Sequence, residues 1–296
     1  MYLQFNLIIY LMKNKSFLLL FFFLFLCQVS FAQQTILNDS NLPIMVISTD
    51  IDPDTNAPTD IPDEPKVLGS MQLIYRPDGS RNYLTDSTNE SFLNYKGRIG
   101  IELRGSSSQA LDKKPYGFTT LLQDGDSNNN VSLLGMPSEN DWVLNSLAYD
   151  PSMVRDYLSY TLASNMGNYA PRVQYIEVIV NGDYKGVYFL TEKVKRDSDR
   201  VNLKKIADDD NDFPDITGGY IIKADKTTGG DEIAWTMPNY GGWDTNFLHH
   251  YPKTEDITSA QANYIETIFY DLADQTNPVN TSIIDGYPSM IDIPSF

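Results

Sequence analysis

Gly97-Arg-Ile-Gly-Ile-Glu-Leu-Arg104-Gly-Ser-Ser-Ser-Gln109, followed closely by Lys113-Lys114-Pro-Tyr116, is the stretch from which the rest of this chain can be read. Ile99 to Leu103 alternates apolar and polar residues, the period of a half-buried strand, and Tyr116 to Thr120 supplies an antiparallel partner. Between the two, the chain stops at an arginine, turns through glycine and three hydroxyls, and returns with paired lysines. A turn of that kind offers cations, backbone amides and small donors to one polyanion, which is how proteins hold phosphate groups. Arg104, Ser106, Ser107, Ser108 and Lys114 are therefore the candidate anion-binding residues.

Working outward, Pro43 to Thr49 is an unbroken apolar run suited to a strand covered on both faces, and Met71 to Tyr75 is a further strand closed by the turn Pro77-Asp-Gly79. Asp50 to Lys66 reads as a loop. Asp150-Pro151 opens a helix over 151–166, with Val154, Tyr157, Leu158, Thr161, Leu162 and Met166 on one face that should pack against a sheet. Val173 to Val180 and Tyr184 to Leu190 flank Asn181-Gly182, the strongest short-range signal for a hairpin. A second hairpin-like stretch surrounds Gly218 to Lys223. Thr258 starts a last helix, with Gln261 completing a capping box and Ala262, Ile265, Phe269 and Leu272 as its apolar stripe. Strands, a helix, a hairpin, a basic connector and a final helix make an α+β protein with a sheet-rich first lobe.

The chain carries 22 basic and 39 acidic side chains, a formal net charge of −17. Residues 1–32 read as a removable secretory signal peptide: Lys13 and Lys15 precede an apolar run from Phe17 to Leu26, and Ser30-Phe31-Ala32 gives a small-x-small cleavage pattern. A membrane anchor is the rival reading, against which the apolar run is short. Residues 33–41 follow as a polar leader, and 42–296 form the folded part. Cleavage removes two lysines and no acid, leaving −19. Such a surface repels nucleic acid and anionic membrane, so neither is expected as a partner, and no membrane insertion is expected after cleavage. Cys27 is the one cysteine, which leaves the mature protein without disulfides or thiolate chemistry.

Against this acidity, basic residues cluster at Lys113-Lys114 and in Lys193-Val-Lys195-Arg196-Asp-Ser-Asp-Arg200; a solvated face is the plain reading of such a run. Other motifs do poorly. Asp124 to Asn130 starts like a calcium loop but has Asn129 and Gly135 where glycine and glutamate belong, and reads as a tight polar turn. Gly100 to Ser107 mimics a P-loop frame with serine in place of the lysine. His249 and His250 are adjacent, so on a strand they point to opposite faces and cannot chelate one metal together.

Enzymes of the protein-kinase type hold a nucleotide between a sheet lobe and a helical lobe, with the chain crossing between lobes behind the base. The order of elements here matches the first half of that plan, with Phe189 to Val194 as the crossing segment, so that backbone groups of Glu192 and Val194 are candidates to pair with adenine. An ordinary α+β core with a basic rim is the alternative.

Leu42-Pro-Ile, Arg104-Gly-Ser-Ser-Ser-Gln, Lys113-Lys-Pro-Tyr, Leu134 to Asn145, Val154 to Leu158, Gly167 to Arg172, Val178 to Lys193 and Asp215 to Tyr220 together resemble the CotH family, in the expected order along the chain. The resemblance implies a divergent, atypical protein-kinase-like fold, secreted or surface-associated, that uses ATP and a divalent metal, usually Mg2+, to phosphorylate serine-rich protein targets. An acidic enzyme with basic patches favours basic, serine-bearing segments. The resemblance also places the catalytic acid and the metal ligands after a segment like Ile283 to Phe296. No catalytic aspartate or metal ligand is assigned here, the second lobe is read as incomplete, and the chain as it stands is expected to bind nucleotide without turning it over. A non-catalytic surface adhesin or coat-assembly module is the competing class.

Overall fold

The computed structural model describes residues 37–227, 232–238, 243–276 and 279–292; the expected signal peptide and residues 33–36 lie outside them. From Asn38 onward the chain forms one unit. Its first strands are β1 (Asp39–Ser40), β2 (Ile44–Thr49), β3 (Val67–Ile74), β4 (Asn82–Tyr83), β5 (Leu93–Leu103), β6 (Tyr116–Leu121) and β7 (Asp141–Asn145). The helix α1 (Arg155–Asn165) separates these from β8 (Val173–Val180) and β9 (Asp183–Glu192). Seven of them close into a barrel in the order β2-β3-β5-β6-β7-β9-β8.

Neighbours around the barrel are antiparallel except at the seam, where β2 runs parallel to β8 with Ile44 opposite Glu177 and Ile47 opposite Val180. Alternation along each strand fills the interior: Met45, Ile47, Met71, Leu73, Ile99, Ile101, Phe118, Trp142, Leu144, Tyr188 and Leu190 form one buried cluster. Each such side chain contributes about 1.5–3 kcal/mol by leaving water. The two polar atoms that go in with them are bonded: Trp142 Nε1 donates to the Glu139 carbonyl at 3.2 Å, and the Tyr188 hydroxyl to that of Lys114 at 2.9 Å. The β8–β9 hairpin turns at Asn181 and Gly182, both at positive φ (51° and 79°), the geometry that residue pair favours.

Beyond the barrel, β10 (Ile221–Ala224), β11 (Trp235–Met237) and β12 (Thr245–Tyr251) form a second sheet with β12 in the middle, followed by α2 (Ser259–Thr276). The stretch around Gly218 to Lys223 is thus not a local hairpin: β10 pairs with β12, more than twenty residues on. Both bonds of the capping box at Thr258 and Gln261 are made, at 3.2 and 3.3 Å. The apolar stripe of α2 is half-buried on the second sheet, where Phe269 meets Trp235 and Phe247 with ring centroids 5.3 and 5.0 Å apart.

The stripe of α1 behaves differently from its expectation. The helix starts at Arg155 rather than at Pro151, with Val154 at its N-cap and residues 151–153 in a turn; Asp150 braces that turn by accepting from the amides of Val154 and Arg155, and bonds from Ser152 and Arg155 hold its carboxyl down at about 2. Yet no residue of α1 is buried; Leu158, Leu162 and Met166 are 59–64% exposed. The helix touches the barrel through Tyr157, against Tyr175 and Phe189, and through Asp156, which accepts from Asn145. Further along β7, at Asp141, the outer face of the sheet becomes charged.

Candidate functional site

That outer face belongs to β5, β6, β7 and β9. The strand register places Ile101 opposite Phe118 and Phe118 opposite Trp142 on the inner side, so Glu102, Gly117, Thr119, Asp141, Val143 and Thr191 fall on the other. Lys66, just before β3, reaches over this face. Its amine donates to Thr119 Oγ1 at 2.8 Å and lies 3.7 Å from Glu102 Oε1 and 3.9 Å from Asp141 Oδ1. Thr119 passes its own proton to Asp141 Oδ1 at 2.8 Å. From the opposite side, Lys195 comes within 2.8 Å of Asp141 and 3.0 Å of Glu139. Gly117 makes room for this crossing: a Cβ there would stand 3.2 Å from Glu102 Oε1 and 3.8 Å from Arg104 Cδ.

The electrostatics follow from burial and from these pairings. Burial pushes the Glu102 carboxyl above its usual range, and Lys66 offsets part of that. Asp141 and Glu139 are held below theirs, because the bonds they accept outweigh the effect of burial. The Lys193 amine is held below its ordinary value, first by burial and then by the neighbouring cations Lys66, Lys195 and Arg104, with Asp141 acting the other way. Among the described residues neither Lys193 nor Arg104 has a carboxylate within ion-pairing distance. Two cations are therefore left over where four converge.

Two cavities open on this region. One, of about 870 Å³, is walled by Asp141, Lys193, Lys195, Lys223, His249 and Tyr251 among others; its wall carries five lysine and arginine side chains against four acids. The other, of about 410 Å³, has Arg104, Ser108, Asn145, Asp150 and Arg155 on its wall.

Of the residues expected from sequence, Arg104 and Ser108 border the smaller cavity, while Ser106 and Ser107 stand exposed on the turn beside it. Lys114 is not on that wall: its amine donates to the Gln109 carbonyl at 2.7 Å. Lys113 is turned inward over the Tyr188 ring and donates to the Val187 carbonyl. The amide of Arg104 donates to the Pro115 carbonyl at 3.1 Å, so the two segments run side by side, and Lys66, Lys195 and Arg104 are the cationic neighbours of Lys193.

Glu192 is fully buried, pairing with Arg172 at 3.0 Å and Arg200 at 3.3 Å, and its amide donates to the Arg172 carbonyl. The Val194 carbonyl is bonded by His250 Nε2 at 2.7 Å. Of the backbone groups at these two positions, the Glu192 amide and one lone pair of the Val194 carbonyl are thus already engaged. The basic run 193–200 is a solvated face only in part: Lys193, Ser198 and Asp199 are exposed, whereas Arg200 is buried between Glu139 and Glu192, and Lys195 is clamped by two carboxylates.

Residues 101–296 match the family model described as CotH kinase protein. The chain belongs to the CotH kinase family. The match begins within β5, so Glu102, Arg104, Asp141, Lys193 and Lys195 lie inside it and Lys66 lies before it. No curated protein matches the chain. Among the described residues no three His, Cys, Asp or Glu side chains come together as a metal site, and the carboxylates of the outer face are already engaged by lysines. The described residues do not fit a divalent-metal site.

Sequence reasoning missed Lys66, Glu102, Asp141 and Glu139 as parts of the site. The available signal was parity: Lys193 and Lys195 continue the outward alternation of Thr191, and Glu102 stands two residues from Arg104 on the same face.

Proposed function

We propose that this member of the CotH kinase family is of the kind that transfers the γ-phosphate of ATP to serine-rich, basic segments of proteins outside the cell, and that the chain binds the polyphosphate of ATP across the outer face of β5-β6-β7-β9 without itself turning it over. The observation that carries the reading is that Lys193 and Lys195 line the cavity of about 870 Å³ with Lys66 and Arg104 as cationic neighbours of Lys193, Arg104 itself bordering the smaller cavity, and that Lys193 and Arg104 have no carboxylate partner among the described residues, in a chain of net charge −17. Both groups are exposed, so a polyanion can reach them directly and form charge-assisted hydrogen bonds with them.

The roles divide by pairing. Lys193 and Arg104 neutralise phosphate oxygens, Ser108 adds a hydroxyl donor, and Lys66 and Lys195 keep Asp141 and Glu102 from repelling the ligand. In phosphoryl transfer most of the catalytic effect comes from positioning and charge neutralisation of this kind.

Titration calorimetry of the purified chain with ATP tests this, with Lys193→Ala and, as control, Lys96→Ala near the far end of β5 from Glu102 and Arg104. Loss of one charge-assisted contact weakens binding by about tenfold or more, so the expected result is that drop for Lys193→Ala and none for Lys96→Ala. Equal effects, or no ATP binding to the unaltered protein, would overturn the proposal. Labelled ATP with magnesium and a serine-rich basic peptide tests transfer, and the mass of the exported protein tests removal of the leader.

A further inference from the structure

The wall of the larger cavity includes His249, both of whose ring nitrogens are buried without a hydrogen-bond partner among the described residues. The indole nitrogen of Trp235, whose ring centroid lies 5.9 Å from the imidazole, is also buried and unpaired. Buried polar atoms in folded proteins nearly always have partners, and leaving one without costs free energy. Three such atoms grouped beside a cavity mark a place where partners arrive from outside.

The strands explain the grouping. Trp235 on β11 sits opposite Phe247 on β12 and stacks on it, with centroids 5.2 Å apart and planes 11° from parallel; His249 is two residues further along the same strand and so on the same face. The adjacent residue, His250, is tied to the Val194 carbonyl, which anchors this end of β12 to the segment leaving the barrel. The backbone of His249 is therefore fixed and its ring is what remains free to turn. Because His249 borders the cavity while its nitrogens are shielded, a half-turn of the ring, which exchanges nitrogen and carbon positions, presents those nitrogens to a ligand.

The chemistry of the partner follows from the donor set. A neutral imidazole offers one donor and one acceptor, and an indole one donor. This combination complements the edge of a heteroaromatic base and has no special affinity for phosphate. Burial favours the neutral ring by lowering its pKa. On the same cavity wall, Lys193 and Lys195 answer the charged part of such a ligand.

We propose that His249, supported by Trp235, is the specificity-determining residue of this cavity and reads the donor and acceptor edge of a nucleobase whose phosphates lie toward Lys193 and Lys195. The inference rests on the nucleotide reading above, and its test separates the two. Affinities for ATP, GTP and inorganic tripolyphosphate are measured on the full chain and on His249→Phe, together with ¹⁵N spectra of the labelled histidines. The expected result is that the unaltered protein prefers one nucleotide by about tenfold or more, the scale of hydrogen-bonded base discrimination. His249→Phe loses that preference, keeps its tripolyphosphate affinity within about twofold, and melts at a higher temperature because two unpaired nitrogens are gone. The ¹⁵N shifts of His249 move with the preferred nucleotide and stay in place with tripolyphosphate.

If His249→Phe binds both nucleotides as the unaltered protein does, or the shifts stay still on nucleotide addition, the base-reading role is refuted while phosphate binding stands. If neither a nucleotide nor tripolyphosphate binds, both readings fall. Should His249→Phe not fold, His249→Gln, which keeps a donor and an acceptor, is expected to retain the preference, and the spectra of the unaltered protein decide independently.

Discussion

Replacing Arg200 by methionine tests whether the segment leaving the barrel is held by buried charge. The Arg200 side chain is 1% exposed and Glu192 is fully enclosed. The guanidinium lies 3.3 Å from Glu192 Oε1, 3.7 Å from Glu139 Oε2 and 3.5 Å from Asp197 Oδ1, and donates to the Pro137 carbonyl at 3.2 Å. Methionine matches the apolar stem but leaves these oxygens short of a donor. Removing one partner of a buried pair costs about 3–5 kcal/mol. The lower end applies here, because Arg172 stays on Glu192 at 3.0 Å and Lys195 on Glu139 at 3.0 Å. A loss of about 3 kcal/mol lowers the melting temperature of a domain near this size by roughly 6–12 °C. Urea unfolding followed by tryptophan fluorescence, with Trp142 in the barrel core as a reporter, measures it. Adding Glu192→Gln should cost less than the sum of the two single changes, by about 1–3 kcal/mol, since both break one network. A single-variant loss below about 1 kcal/mol, or strict additivity in the double variant, would refute the account of the segment as clamped from inside.

Other outcomes follow from separate features. Glu102 has its carboxyl pKa raised by burial, so the folded state holds that proton more tightly than the unfolded chain; the resulting penalty is absent below the ordinary carboxylate range, grows as pH rises through the raised value, and is complete above it. Glu102→Gln should therefore stabilise the protein at neutral pH with a gain that shrinks toward about pH 4, and urea midpoints showing the same difference at every pH would count against it. Gly219 has φ of +88°, and a Cβ there would stand 2.1 Å from the Lys204 carbonyl oxygen. Gly219→Ala should exceed the roughly 1–3 kcal/mol of dihedral strain alone, and a loss under about 1 kcal/mol in the same unfolding assay contradicts the described backbone approach. Leu162→Lys on the open face of α1 should change stability by no more than about 0.5 kcal/mol, against about 3–5 kcal/mol for Phe118→Ala in the barrel core; a large loss at Leu162 would mean that its face is covered in solution.

The features legible in the sequence were those with local chemistry. Asn181-Gly182 announces its hairpin because few other residue pairs accept positive φ twice in succession, and Thr258 with Gln261 announces a helix start because each side chain serves the other's amide. The closure of the barrel was not legible. It depends on Ile44 meeting Glu177, and nothing in either segment specifies a partner so far away; the pairing of β10 with β12 was hidden for the same reason. On α1 the apolar period was read correctly, but periodicity describes the helix and not the surface offered to it. At the site, charge clustering pointed to Lys193 and Lys195, while Lys66, Glu102 and Asp141 come from three separate segments that only the strand register unites. Residue type at the twin lysines suggested a ligand for phosphate; in the fold each amine also donates to a backbone carbonyl, of Val187 and Gln109, a contact that no local pattern announces.

The parallel seam between β2 and β8 also governs the order in which the protein can be completed. β2 is the first barrel strand to leave the ribosome, but one of its edges has no partner until β8 has been made, after five intervening strands and a helix. Throughout that interval a nascent chain presents an apolar strand with an unsatisfied edge, the feature most prone to pair with other chains. A product stalled before Val173 is therefore an aggregation hazard, whereas one stalled after Glu192 can already shut its barrel and protect every edge within it.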